Sequence, residues 1–125
     1  MTTVYTVSDE LLAEYGLRRG RAMGRAYPCD DPAAVLLPVG HVRGPVIGPS
    51  GRGLQVERLR PLLAAIATGM PLPPVPVYRE PGRAVLLGGA HRFAVSLACG
   101  YPEIPCRPVT LAEAEELYRY PEGQR

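Results

Sequence analysis

The chain has 125 residues, 14 basic against 12 acidic, so its formal charge is only +2 and its length suits one domain with a modest core. Every basic residue is arginine; with no lysine, Walker-type phosphate loops, pyridoxal Schiff bases and the protein-kinase lysine are excluded. His41 and His91 are too few for a three-histidine metal site, and Cys29, Cys99 and Cys106 show no C-x-x-C spacing, which leaves neither a zinc finger nor a disulfide framework.

In chain order, residues 1–32 read as an N-terminal extension. Ser8-Asp9-Glu10 resembles a helix start, Leu11, Leu12 and Tyr15 supply an apolar face, and Gly16 ends it. Arg18, Arg19, Arg21 and Arg25 follow in a stretch without acids; such a run ordinarily faces water, and its other reading is contact with phosphates or a partner. From residue 33 to 120 strands and helices alternate, with 121–125 as a tail. Val35 to Val42 reads as a strand that Pro38 demotes to an edge or bulged position. A Gly/Pro-rich loop, Arg43 to Gly53, is long enough to reach over a site.

Leu54 to Thr68 has helical spacing at Val56, Leu59, Leu63 and Ile66 and stops at Gly69; Pro61 predicts a start near Arg60 or a kink there. The apolar run inside it, Leu62 to Ala67, is six residues, too short to span a membrane, and the expectation is a soluble, cytoplasmic protein with reduced thiols. Val75 to Tyr78, a Pro81-Gly82 turn and the apolar Ala84 to Leu87 read as two strands, the second as the sheet centre. Gly88-Gly89-Ala90 leads into a helix from about His91 to Cys99, with Phe93 and Leu97 on one face and Gly100 as its stop. Ile104 to Val109 is a proline-limited strand, and Thr110-Leu-Ala-Glu113 is a capping box for a last helix through Tyr118. The fold class expected is a small mixed α/β domain, a mixed sheet flanked by short helices.

The start of the His91 helix is the anomaly. A structural helix start favours Ser, Thr, Asp or Asn at the cap and acids in the first turn. Here the order is Gly88-Gly89-Ala90-His91-Arg92, and a cation in that position costs about 0.3–1 kcal/mol. A bound anion reverses the sign: glycines let backbone N–H groups approach a phosphate, Arg92 chelates two oxygens and His91 donates a hydrogen bond. The alternative is a tight turn with both side chains in solvent. No serine (Ser8, Ser50, Ser96) sits in a G-x-S-x-G setting.

Residues 54–109, and more loosely 34–120, resemble the ParB/sulfiredoxin superfamily of nucleotide-binding domains. The resemblance rests on Leu62-Leu63-Ala64-Ala65-Ile66 with Gly69, on Leu72-Pro73-Pro74-Val75-Pro76-Val77, on Leu86 to Ala94 around Gly89-Ala90-His91-Arg92, and on Gly100 followed by Glu103-Ile104-Pro105-Cys106. The Gly-Gly-x-His-Arg wording is nearest to sulfiredoxin, and the resemblance implies that Gly88, Gly89, Ala90, His91 and Arg92 meet nucleotide phosphates, with Arg58 and Arg43 as outer basic contacts. Sulfiredoxins use a cysteine just before the His-Arg pair; Ala90 stands there, so that reaction in its usual form is not expected. Their two hydroxyl-bearing positions appear here as Pro61 and Ala65. Partition ParB proteins bind CTP with a Gly-Glu-Arg-Arg motif and follow it with a helix-turn-helix domain; the segment after Val109 is too short for one.

The resemblance implies ATP or CTP as ligand, with Mg²⁺ bridging the phosphates, and hydrolysis or phosphoryl transfer to a small-molecule or protein substrate. Relatives that act as kinases depend on an acid near the γ-phosphate. Glu57, Glu80 and Glu103 are available without a spacing that singles one out; the catalytic candidates are His91 and Glu57. The competing readings are a non-catalytic nucleotide-sensing or protein-interaction module with the N-terminal segment as docking arm, and a DNA-associated accessory protein. Net charge and few aromatics argue against nucleic acid.

Overall fold

The computed structural model describes residues 2–45, 47–48 and 51–119. Its elements are β1 (Thr3–Val4), α1 (Asp9–Glu14), β2 (Val35–Pro38), a 3-10 turn (Val39–His41), β3 (Val42–Arg43), β4 (Leu54–Gln55), α2 (Val56–Thr68), β5 (Val75–Glu80), β6 (Arg83–Leu86), α3 (Ala90–Cys99), β7 (Glu103–Pro108) and α4 (Leu111–Arg119). This is a mixed α/β fold, as the sequence suggests. Five strands form one sheet in the order β2-β7-β5-β6-β3, and β1 pairs separately with β4.

The sheet curls, and the reason is legible in the register. β2 runs antiparallel to β7 at one edge and β3 runs parallel to β6 at the other. Only Val39–His41 separates the two strands. Three residues reach about 10 Å at most, so the opposite edges of the sheet come together. The Val35 to Val42 stretch, read as one strand, is two strands, β2 and β3, split after Pro38 by the 3-10 turn and paired to opposite edges of the sheet. His41, in the turn, is exposed.

Prolines fit this sheet by avoiding positions paired on both sides. The β5 register on β7 begins at Cys106 and the β2 register ends there, so Pro105 and Pro108 each face a single neighbour. Pro76 likewise precedes the Val77↔Leu86 start of the β6 register. β5, buried over Val75–Val77, is the true centre; β6, read as the centre from its apolar run, lies one strand out and is only partly covered.

Helix α2 begins at Val56 and continues through Pro61, rather than starting near Arg60. Pro61 is exposed, where water can serve the carbonyl that loses its intrahelical donor. Leu59 and Leu63 are fully buried from α2. On α3 the core face is Val95, Ala98 and Cys99, and Leu97, expected to face inward with Phe93, is 50% exposed. The Thr110–Glu113 capping box forms in both directions, the Thr110 hydroxyl accepting from the Glu113 N–H and the Glu113 carboxylate from the Thr110 N–H, each at 3.2 Å. The tail assigned to 121–125 lies outside the described residues.

Residues 2–32 share the core of the rest of the chain. Ser8 caps α1 by accepting from the Leu11 N–H at 3.1 Å. Leu11, Leu12 and Tyr27 are buried in the same apolar cluster as Leu63, Val77 and Ile104. The Tyr27 hydroxyl donates to the Pro73 carbonyl at 2.7 Å. Gly20 and Ala22 donate their N–H groups to the Ala98 and Cys99 carbonyls at the end of α3, satisfying acceptors that a helix end leaves open. Gly100 has φ 87°, and a Cβ there would stand 2.6 Å from the Gly20 Cα, so both conformation and space require glycine.

Candidate functional site

The site is built where β6 ends and α3 begins. Gly89 has φ 73° and ψ 32°, the left-handed region, and no side chain caps the helix behind it. A Cβ at Gly89 would lie 2.7 Å from Val75 Cγ1 and 2.8 Å from Arg92 Nη2. The second glycine is thus demanded by backbone angle and by space. The N–H groups of Ala90, His91 and Arg92 open the helix and have no intrahelical acceptors, with no acid in the first turn to serve them.

His91 points inward, 8% exposed. Its Nε2 accepts the backbone N–H of Gln55 at 2.8 Å, which makes the imidazole neutral with its proton on Nδ1. Burial, then the nearby charges of Arg58 and Arg52, hold its pKa below the usual histidine range. The hydrogen bond places any donation to a ligand at Nδ1 and occupies the nitrogen that a general base would use.

Gln55 is the residue immediately before α2, so the His91 bond staples the start of α3 to the start of α2. At the other end, Ile66 and Ala67 of α2 line the same cleft as Cys99 of α3. The two packed helices therefore run parallel, with both N-termini at one end of the pair. Each presents about half a positive elementary charge there.

Arg58 stands in the first turn of α2 and Arg52 four residues before the helix begins; both are exposed and have no ion-pair partner among the described residues. Elsewhere Arg19, Arg25, Arg60, Arg83 and Arg107 each pair with an acid. Arg52 is the contributor that sequence reasoning missed; its setting between two glycines at the end of the long loop is the signal that could have marked it.

Arg43 lies on β3 opposite Val85 of β6, exposed at the C-terminal ends of two parallel strands, the position where open α/β sheets take ligands. Its neighbour Gly44 packs on α3, for a Cβ there would meet Phe93 Cε2 at 2.5 Å. Gly88 precedes the turn half-buried.

Arg92, expected as a phosphate fork, is tied to the protein through one of its nitrogens. Its Nη1 donates to the Pro73 and Pro74 carbonyls at 3.2 and 3.0 Å, while Nε and Nη2 pass beside Gly89. The guanidinium locks the Pro-Pro segment onto the glycine turn. Glu57 is also engaged: its carboxylate accepts the Thr2 N–H at 2.9 and 3.2 Å, which holds its pKa below the usual carboxylate range and weakens it as a base.

The two buried thiols, Cys99 and Cys106, are poor substitutes for the missing sulfiredoxin cysteine. Cys99 and Cys106 are buried and free, with burial pushing the Cys106 pKa up to about 11 and that of Cys99 up as well. Ala90 itself is 7% exposed. Among the described residues no three His, Cys, Asp or Glu side chains gather into a metal site. No helix among them is long and apolar enough to cross a membrane.

No protein-family model matches the chain, and no curated protein matches it. A solved structure does. It is the C-terminally truncated chromosome-partitioning protein ParB from Caulobacter crescentus, complexed with CTP-γ-S, superposing with a TM-score of 0.53 at 19% identity over 74% of this chain. The chain has a ParB-like fold. It spans about half, 54%, of that ParB chain. Of the two families named by the sequence resemblance, the ParB side is the one this fold match supports.

Proposed function

We propose that this chain is a nucleotide-binding domain that holds the phosphates of ATP or CTP at the paired N-termini of α2 and α3. The observation that carries the reading is the His91–Gln55 bond. It brings two helix N-termini together beside Arg52 and Arg58, neither of which is ion-paired among the described residues, while Glu57 in the first turn of α2 is turned to the Thr2 N–H. The Gly89 turn adds a cradle that a Cβ would fill, and the ParB neighbour was solved with a CTP analogue. Gly88, Gly89 and Ala90 supply close backbone approach, His91 a donor at Nδ1, Arg52, Arg58 and Arg43 the charge, and Arg92 the shape of the turn. With no cluster of His, Cys, Asp or Glu among the described residues to hold a cation, magnesium would be carried by the nucleotide and would supply charge neutralisation there. A nucleotide ligand fits a cytoplasmic location.

Binding is favoured over catalysis, because both catalytic candidates, His91 and Glu57, are committed to backbone N–H groups. Hydrolysis or transfer to a small acceptor is the enzymatic extension of the same site. Calorimetric titration with ATP and CTP, with and without Mg²⁺, tests the proposal. One nucleotide should bind saturably, and the double variant Arg52→Gln/Arg58→Gln should bind it at least about tenfold more weakly. A parent protein indifferent to every nucleotide would end this reading. Chromatography of the nucleotide after incubation then separates an enzyme, which yields diphosphate or monophosphate, from a sensor, which returns the triphosphate intact. A DNA-associated role draws support from the partition function named for the neighbour; duplex binding with steep salt dependence would favour it.

A further inference from the structure

We propose that the cleft at the opposite end of the helix pair, between the Arg18–Met23 segment and the C-terminal ends of α2 and α3, binds a small organic anion with an apolar body. The cleft has a volume of about 480 Å³, within the range of small-molecule sites. Leu17, Met23 and Ile66 give it apolar walls, and Arg18, Arg21 and Tyr101 give it polar ones.

Three features select an anion. Arg18 and Arg21 have no acidic partner among the described residues, although Arg19 and Arg25 of the same run are paired with Asp9 and Glu103. Helix C-termini ordinarily repel anions through their open carbonyls, but here the last four carbonyls of α3 and two of those of α2 accept N–H groups. Gly20 and Ala22 donate to the Ala98 and Cys99 carbonyls at 3.1 and 2.8 Å, and Met70 and Gly69 donate to those of Ala65 and Ile66 at 2.8 and 3.3 Å. Finally, Tyr101 lines the cleft, 5% exposed as a residue, with a hydroxyl that is open to solvent and makes no hydrogen bond to the protein among the described residues. A carboxylate or phosphate in the cleft would accept from it while the arginines hold the charge.

The close Gly20–Gly100 contact fixes the arginine-bearing wall, so the site is formed before a ligand arrives. The 13-residue α2, at about 1.5 Å per residue, separates it from the α3 start by roughly 20 Å. It stands or falls independently of the nucleotide reading.

The test is fluorescence titration of the full chain with anilinonaphthalene sulfonate, an anionic dye with an aromatic body, alongside the neutral N-phenylnaphthylamine. The parent should bind the sulfonate saturably at one site and the neutral dye at least about tenfold more weakly. Arg18→Gln/Arg21→Gln should weaken the sulfonate about tenfold or more at unchanged circular dichroism, and Tyr101→Phe should weaken it severalfold. Octanoate or octyl phosphate should displace the dye, the more potent one naming the headgroup. Absence of saturable binding, equal affinity for the neutral dye, an undiminished double variant, or displacement by neither competitor overturns the proposal.

Discussion

Replacing His91 with alanine should destabilise the fold out of proportion to the size of a single polar side chain. The variant strands the Gln55 N–H, whose acceptor lies 2.8 Å away in the parent, and opens a ring-sized gap at a position only 8% exposed. An unsatisfied buried donor and the gap together cost about 2–4 kcal/mol, a large share of the roughly 5–15 kcal/mol expected of a domain. Urea unfolding at pH 7.5 measures it directly, and His91→Gln, which can offer an amide oxygen to the same N–H, should recover part of the loss. The pH dependence gives a second reading. The folded-state pKa of His91 is lowered from 6.5, so the folded protein holds fewer protons than the unfolded chain. Its contribution is present above about pH 6.5 and is lost as pH falls toward the folded value, with a slope of at most about 1.4 kcal/mol per pH unit. Glu57 and Glu113, both lowered from 4.5, lose their contributions only in a more acidic window. His91→Ala should remove the upper slope and keep the lower one. A variant within about 0.5 kcal/mol of the parent, or one with an identical pH profile, would refute the stapling role.

Gly89→Ala places a Cβ 2.7 Å from Val75 Cγ1 at φ 73°; it should lose about 1–2 kcal/mol or more in urea unfolding and weaken any nucleotide response, and unchanged stability would contradict the tight turn. Ser96→Ala should leave stability unchanged or raise it by up to about 1 kcal/mol, because the Ser96 hydroxyl is fully buried without a partner among the described residues; a clear loss would mean that the hydroxyl is bonded after all.

Much of the element order was legible because local chemistry specifies it. Gly16, Gly69 and Gly100 end their helices, Ser8 and the Thr110–Glu113 pair start theirs, and proline spacing limits β7. What stayed hidden depends on partners distant in sequence. Pro38 was visible as an interruption, but that the two halves of its strand serve opposite edges of one sheet follows only from pairing with β7 and β6. In the sequence the apolar face of α3 centres on Leu97, which outweighs Ala98 and Cys99 in hydrophobicity, whereas the face that is buried is Val95, Ala98 and Cys99, beside the backbone of the arginine segment. Within the candidate site the glycine turn, His91 and Arg58 were visible from motif and charge. Arg52 and Gln55 were not, since their roles come from the loop folding back onto α3.

In the sequence two basic residues stand at a helix start, but in the fold neither leaves a free cation pointing out of that end. His91 is neutral and turned inward, so it adds no charge to that end. Arg92 delivers its Nη1 donors to peptide carbonyls, which makes it part of the wall. The unfavourable dipole placement inferred from sequence is thus largely resolved inside the protein, and by itself it no longer requires a ligand. What requires explanation instead is the gathering of two helix N-termini with Arg52 and Arg58, which make no ion pair among the described residues and are offset only in part by Glu57 in the first turn of α2. This shift decides which variant is diagnostic. Arg92→Ala releases Pro73 and Pro74 from the Gly89 turn, so its loss of nucleotide response would follow from a disordered cradle as readily as from a lost contact. Arg52→Gln and Arg58→Gln act on exposed side chains with no described structural partner, so a weakened triphosphate at unchanged unfolding free energy isolates the charge that binds it.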